Sequence, residues 1–140
     1  MRNVIGQNSE KNRIVIDTYA WIEYFKGSDE GLKAKKFIDN DFLLFTPSMV
    51  IAELSRIYRK EGKPEWDSRR KFISAKSRIT ELDEITADKS GELKQELRKI
   101  HKDIGLADAI IASHASKLNA RILTGDKHLK NLDNSIDISH

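Results

Sequence analysis

Residues 13–25 read R-I-V-I-D-T-Y-A-W-I-E-Y-F. Ile14, Val15 and Ile16 are β-branched residues in a row, the pattern of a strand buried on both faces. Asp17 arrives where that strand should stop, and an apolar helical stretch follows it. A carboxylate at the end of a core strand is a helix cap, a turn residue or a ligand. The rest of the chain has to decide among them.

The chain has 140 residues, 39% hydrophobic and 34% charged, with no cysteine. That length suits one domain with a substantial core. The missing thiols exclude disulfides and cysteine metal sites. No apolar run approaches a membrane span, and the polar start M-R-N-V-I-G-Q-N-S-E-K-N lacks a signal peptide's apolar segment. These features predict a cytoplasmic enzyme or binding protein with no membrane association. Residues 1–12 are expected to form a loosely ordered leader before a single domain over 13–140.

Net charge is +3, unevenly spread. From Arg56 to Arg78 there are nine Lys/Arg against three Asp/Glu, a local balance of +6. Such a tract is either a solvated pair of helices or a surface that attracts phosphate backbones.

Strands are predicted at R-I-V-I, F-L-L-F-T, S-R-I-T-E-L, R-I-L-T and S-I-D-I-S. Helical periodicity covers G-L-K-A-K-K-F-I-D-N, P-S-M-V-I-A-E-L-S-R-I-Y-R-K, E-W-D-S-R-R-K-F-I-S-A-K, the stretch from Thr86 to Lys102, and G-L-A-D-A-I-I-A-S-H-A-S-K-L-N. Alternation of this kind implies an α/β fold, a mostly parallel sheet covered on both faces. Ligands of such sheets gather at the carboxyl ends of strands, near the point where strand order reverses. Asp17 occupies one such end, and Asp126 follows R-I-L-T-G at another.

Two more acids stand in apolar settings. In P-S-M-V-I-A-E-L-S-R-I-Y, Pro47 suits the first helical position with Thr46 as a candidate cap. Met49, Glu53 and Ile57 then form a row that sets a carboxylate in an apolar stripe. Asp108 stands near the start of L-A-D-A-I-I-A, apolar almost all round. The helix dipole favours an acid in a first turn, but it does not account for burying one. Each acid has an ordinary reading: an edge residue, a first-turn acid, or, for Asp126, a cap before K-H-L-K-N-L. If all four converge, each ionised pair at about 5 Å costs roughly 3 kcal/mol at an effective dielectric near 20. Such a cluster must take up protons or a cation. Oxygen donors without cysteine select a hard ion, Mg²⁺ or Mn²⁺, over zinc. His101, His114, His128 and His140 show no zinc-ligand spacing and read as mostly surface residues.

I-V-I-D-T-Y-A-W-I-E-Y-F, P-S-M-V-I-A-E-L, G-L-A-D-A-I-I-A and I-L-T-G-D-K-H-L, in that order, resemble the PIN-domain nucleases, above all the VapC-type toxins of prokaryotic toxin–antitoxin pairs. The resemblance runs from Arg13 to the last strand. It implies a three-layer α/β/α fold with a parallel sheet of order 3-2-1-4-5. It also implies that Asp17, Glu53, Asp108 and Asp126 are the catalytic, metal-binding acids, with Thr18 and Thr124 orienting ligands or water. Tyr19 departs from the pattern, since many relatives carry a small residue there, which points to substrate or partner contacts.

The implied function is Mg²⁺- or Mn²⁺-dependent hydrolysis of RNA, leaving 5′-phosphates and 3′-hydroxyls. Arg56, Arg59 and Lys60 are the candidates for the RNA surface. A VapB-type antitoxin and a second copy of the chain are the implied partners, with Trp21, Ile22 and Phe25 available for an interface or for the core. Two other readings stay open: an inactive PIN-like module that binds RNA or protein, and a PIN endonuclease that matures RNA. A phosphatase of the haloacid dehalogenase type also starts from an aspartate at a strand end. It requires a second aspartate two residues on, where this chain has Tyr19.

Overall fold

Burial on both faces is what lets a parallel strand run apolar without alternation. The computed structural model, which describes residues 12–139, meets that condition at β1 (Arg13–Ile16), where Ile14, Val15 and Ile16 have no exposure. β2 (Leu43–Pro47) pairs along one side, with Val15 opposite Phe45. β4 (Arg121–Thr124) pairs along the other, with Val15 opposite Ile122. β3 (Arg78–Thr80) extends the sheet beyond β2, and β5 (Ser135–Asp137) beyond β4. All four pairings are parallel and the order is 3-2-1-4-5, as the resemblance implies. Strand order reverses between β1 and β4, so the crevice at their carboxyl ends is the switch point of this sheet. Asp17 and Asp126 follow those two strands.

Six helices among the described residues flank the sheet: α1 (Thr18–Lys26), α2 (Asp29–Ile38), α3 (Ser48–Lys60), α4 (Trp66–Lys76), α5 (Glu84–Leu97) and α6 (Leu106–Leu118). Gly27 ends α1 with φ 68°, a conformation that costs glycine nothing. Ser28 caps α2 by accepting the Gly31 N–H at 3.0 Å. Gly31 answers to a close approach instead: a Cβ there would lie 1.9 Å from the Glu23 carbonyl oxygen. The two helices are thereby locked as a tight pair.

At α3 and α5 the boundaries differ from the sequence reading for physical reasons. Pro47 is the N-cap of α3, extended at φ −61° and ψ 141°, rather than its first helical residue. Thr46 is no cap, because β2 carries its side chain into the core with no exposure. α5 starts at Glu84, where Asp83 accepts the Thr86 N–H at 2.8 Å, and stops at Leu97 instead of Lys102. The residues beyond Leu97 include Ile100, 79% exposed, so no apolar contact there holds a further helical turn.

The core is centred on Trp21, which is fully buried. Its Nε1–H donates to Thr46 Oγ1 at 3.1 Å, and Thr46 and Ser77 share a 2.7 Å hydroxyl contact. Ser77 donates its own proton to the Ile73 carbonyl at 2.8 Å, so the Thr46 hydroxyl is the donor to Ser77. One satisfied chain of hydrogen bonds thus ties α1, β2 and the end of α4. Trp21 belongs to the core and not to an interface, while Ile22 and Phe25 are half-buried. The leader expected over residues 1–12 lies, apart from Asn12, outside the described residues. No helix among the described residues is long and apolar enough to cross a membrane.

Candidate active site

Asp17 is a helix cap, and its second oxygen faces the next strand. At φ −89° and ψ 178° it sits at the N-cap of α1, where Oδ1 accepts the Ala20 N–H at 2.9 Å. Oδ2 accepts the Thr124 hydroxyl. Thr124 Oγ1 in turn accepts the Asp126 N–H at 3.0 Å. The carboxyl end of β4 is therefore pinned to that of β1 through one threonine. Asp126 Oδ1 accepts the His128 N–H at 2.8 Å, and its carbonyl accepts from Leu129 and Lys130. It organises a turn rather than the short helix that K-H-L-K-N-L suggests.

Glu53 and Asp108 arrive from helices. The half-buried row of Met49, Glu53 and Ile57 turns the Glu53 carboxylate inward, where Oε1 accepts the Thr18 hydroxyl at 2.7 Å. Asp108, in the first turn of α6, accepts the Gly105 N–H at 3.2 Å. Asp17, Thr18, Glu53, Asp108 and Asp126 line one cavity of about 60 Å³, together with Tyr19, Ala107, Ile111 and Leu129. Among the described residues, no lysine or arginine is in that lining. The structure thus brings all four carboxylates and Thr18 to one place, with Thr124 directly behind Asp17.

The electrostatics follow from burial first and from that crowding second. Burial pushes the Asp17 carboxyl up to about 7; the bonds from Thr124 and Ala20 oppose the shift, and the charges of Asp126 and Glu53 add to it. Asp108 is also raised, first by burial, against the Gly105 bond, with Asp126 adding, His128 opposing and Glu53 adding. Among the described residues no three carboxylate or imidazole groups form a ready-made metal site. The donor set of four carboxylates and the Thr18 hydroxyl still fits a hard divalent cation, which would offset the burial that raises Asp17 and Asp108 and the repulsion that adds to it.

This arrangement makes stability depend on pH. A carboxyl raised from 3.8 to about 7 stays protonated in the fold while it ionises in the unfolded chain. The folded state then binds more protons between those values, so stability falls as pH rises from about 4 to 7. The loss is roughly 4 kcal/mol for the metal-free protein. His114 works the other way, because burial lowers its pKa. The diagnostic is therefore a difference: between pH 5 and 8 the metal-free melting temperature should fall more steeply for the wild type than for Asp17→Asn. Parallel pH profiles would refute it.

Other residues fall outside the cavity. Arg56, Arg59 and Lys60 are exposed near the end of α3. Helical spacing sets Arg56 and Lys60 on the side of Glu53. Arg59 lies on another side, donating to Ser55 Oγ at 3.0 Å and lining, with Lys63 and Arg70, an open groove of about 370 Å³. Arg69, counted in the basic tract, is committed to the Phe25 ring at 4.7 Å. His114 corrects the reading of the histidines as surface residues: it is 1% exposed, on the inner side of α6. His128, half-buried, acts on Asp108, and only its place two residues beyond Asp126 hinted at that. His140 lies outside the described residues.

A sequence model described as PIN domain matches residues 14–135 of this chain. No match was found among curated protein sequences. Among solved structures, a toxin–antitoxin complex from Klebsiella pneumoniae is similar with a TM-score of 0.73 at 19% identity, covering 91% of this chain and 98% of that one. VapBC2 from Rickettsia felis, bound to a DNA fragment from its promoter, is similar with a TM-score of 0.70 at 25% identity, covering 89% and 96%. VapC20 of Mycobacterium tuberculosis, described as a toxin that cleaves the sarcin–ricin loop, gives a TM-score of 0.62 at 17% identity, covering 81% and 91%.

Proposed function

The chain belongs to the PIN domain family, and on that premise we propose that it is a divalent-metal-dependent endoribonuclease, the toxin of a toxin–antitoxin pair. The observation that carries this reading is the meeting of four carboxylates, from four separate elements, in one cavity at the switch point of the sheet. RNA as substrate takes support from the description of the Mycobacterium tuberculosis toxin, and an antitoxin partner from the complexes of Klebsiella pneumoniae and Rickettsia felis. Residues 13–140 form the working unit in this proposal, acting in the cytoplasm and pairing with a second copy.

In this reading Asp17, Glu53, Asp108 and Asp126 hold Mg²⁺ or Mn²⁺. Bound there, such an ion supplies an acidified water and neutralises charge on the phosphodiester. Thr124 fixes the orientation of Asp17, and Thr18 that of Glu53, so both carboxylates are presented without a search over rotamers. The cavity admits phosphate oxygens and excludes bulkier groups by its size. The products carry 5′-phosphates and 3′-hydroxyls.

Purified protein is expected to cleave single-stranded RNA with Mg²⁺ or Mn²⁺ and to stop in excess chelator. Full activity in chelator would remove the metal mechanism, and binding without cleavage would favour an inactive module. Expression of the chain alone should slow growth, with relief from the product of a neighbouring small gene. A harmless active protein would leave a nuclease of RNA maturation in place of a toxin.

The basic surface gives a separate expectation. Arg56→Ala and Lys60→Ala should each weaken RNA binding and reduce the slope of log affinity against log salt by about 0.7 for every phosphate left without its cation. Arg59→Ala should do less, because Arg59 points away from Glu53. Unchanged slopes in the first two variants would return the tract to a solvated face.

A further inference from the structure

The acid cavity, at about 60 Å³, has room for an ion and phosphate oxygens. A nucleobase does not fit. Bases of a bound strand must therefore lie along its rim. Of the described residues that line it, Tyr19 is the only aromatic one. It sits on the first turn of α1, two residues after Asp17, half-buried and packed against the core.

The Cδ1–Cε1–Cζ side of its ring crowds the backbone at Gly125, between Thr124 and Asp126. A Cβ at Gly125 would stand 2.2 Å from Tyr19 Cε1, 2.7 Å from Cζ and 2.8 Å from Cδ1. The glycines with positive φ among the described residues are Gly27 and Gly62, so Gly125 is not required by its backbone conformation. The glycine makes space for the ring. Tyr19 and the turn that carries Asp126 are thus a matched pair, and the ring's position is set from the same backbone that sets the acid.

The charges around the phenol say which part of a nucleotide can approach it. Burial acts on it first, and Glu30, Glu23, Asp137 and Asp17 add negative charge. With Asp17 given to the cation, the remaining acids still make the ring poor ground for a phosphate and leave a neutral base as the group that can lie against it. From this juxtaposition we propose that Tyr19 is a substrate-positioning residue, stacking on the base of the nucleotide next to the scissile phosphate. This rests on the nuclease reading and names how that site holds its strand. Stacking tolerates every base, because each has a π-face. The contact sets register along the strand and leaves sequence choice to other surfaces.

The test compares Tyr19→Phe, which keeps the ring, with Tyr19→Leu, which keeps apolar bulk without it. Cleavage of single-stranded RNA should show a KM close to wild type for the first and roughly tenfold higher for the second, with kcat changed much less. A single-stranded oligonucleotide carrying the fluorescent base aminopurine supplies a readout without cleavage. Its emission should be quenched by Asp108→Asn and by Asp108→Asn/Tyr19→Phe, and much less by Asp108→Asn/Tyr19→Leu. Gly125→Ala should reproduce the KM defect in the wild type and add nothing to Tyr19→Leu. Equal KM and equal quenching for Tyr19→Phe and Tyr19→Leu would overturn the proposal, and so would a Tyr19→Leu variant defective only in its grip on an antitoxin. If the wild type cut no RNA at all, the nuclease reading would fall while the quenching comparison still decided whether Tyr19 stacks on a base.

Discussion

Asp108→Asn and Asp17→Asn should each lower the cleavage rate at least about a hundredfold while the protein stays folded. The reason is that the amide keeps the shape of the carboxylate and removes its charge. The two variants differ in what else they disturb. Asp108 accepts one structural hydrogen bond, from the Gly105 N–H, and an amide oxygen accepts that bond equally well. With its raised carboxyl gone, metal-free Asp108→Asn should melt at or above the wild-type temperature near neutral pH. Asp17→Asn keeps the cap on Ala20 but turns an NH₂ group toward the Thr124 hydroxyl, which donates to Asp17 in the wild type. A loss of activity in Asp108→Asn accompanied by a large drop in melting temperature would point to a structural acid, and a rate near wild type would refute the metal-site assignment.

Trp21→Ala should be the most damaging single change to the fold. Deleting a fully buried tryptophan typically costs about 3–5 kcal/mol. Here the Thr46 hydroxyl is also deprived of the donor it accepts from, in a position water does not reach. The ring further packs against Tyr24, Phe25 and Phe72 at centroid distances of 5.5 to 6.3 Å, so three neighbours lose a packing face at once. For a chain of this length a drop of the order of 15 °C in melting temperature follows. Trp21→Phe refills most of the volume and leaves only the Thr46 partner missing, so it should recover more than half of the loss. A calorimetric comparison of the two variants separates packing from the hydrogen bond, and a drop below about 5 °C for Trp21→Ala would contradict the role of Trp21 as the centre of the core.

The legibility of this chain varies with how local each signal is. I-V-I needed no tertiary information to be read as a buried strand, because burial on both faces shows directly as unbroken β-branched residues. The acids at positions 17, 53, 108 and 126 stood out because each breaks an apolar context. Their meeting in one cavity came from the resemblance and not from periodicity, since nothing in a linear pattern brings residue 17 beside residue 126. Where contacts between distant residues decide, the reading failed. Thr46 has the chemistry of a cap but serves Trp21 and Ser77. The 98–102 segment has helical composition and no apolar surface to rest on. His114 belongs to the buried side of a helix that is apolar almost all round, so no polar face betrayed its orientation. Gly125 carried no turn signal, and its meaning depends on a tyrosine more than a hundred residues earlier.

The order of assembly has a consequence for biosynthesis. β1 is the first strand of the sheet to be made, yet its neighbour on one side is β4, residues 121–124, made more than a hundred residues later. Until that strand is in place, Asp17 lacks its Thr124 donor and the turn that carries Asp126 does not exist. A ribosome that has passed Asp108 but not yet made β4 therefore holds a nascent chain with three of the four acids and no assembled cavity. Pairings this far apart in sequence are the last to form in a folding chain. On the nuclease reading, the acid site of a protein that destroys RNA thus cannot assemble before β4 is made, through nothing more than the place of one strand in the sheet.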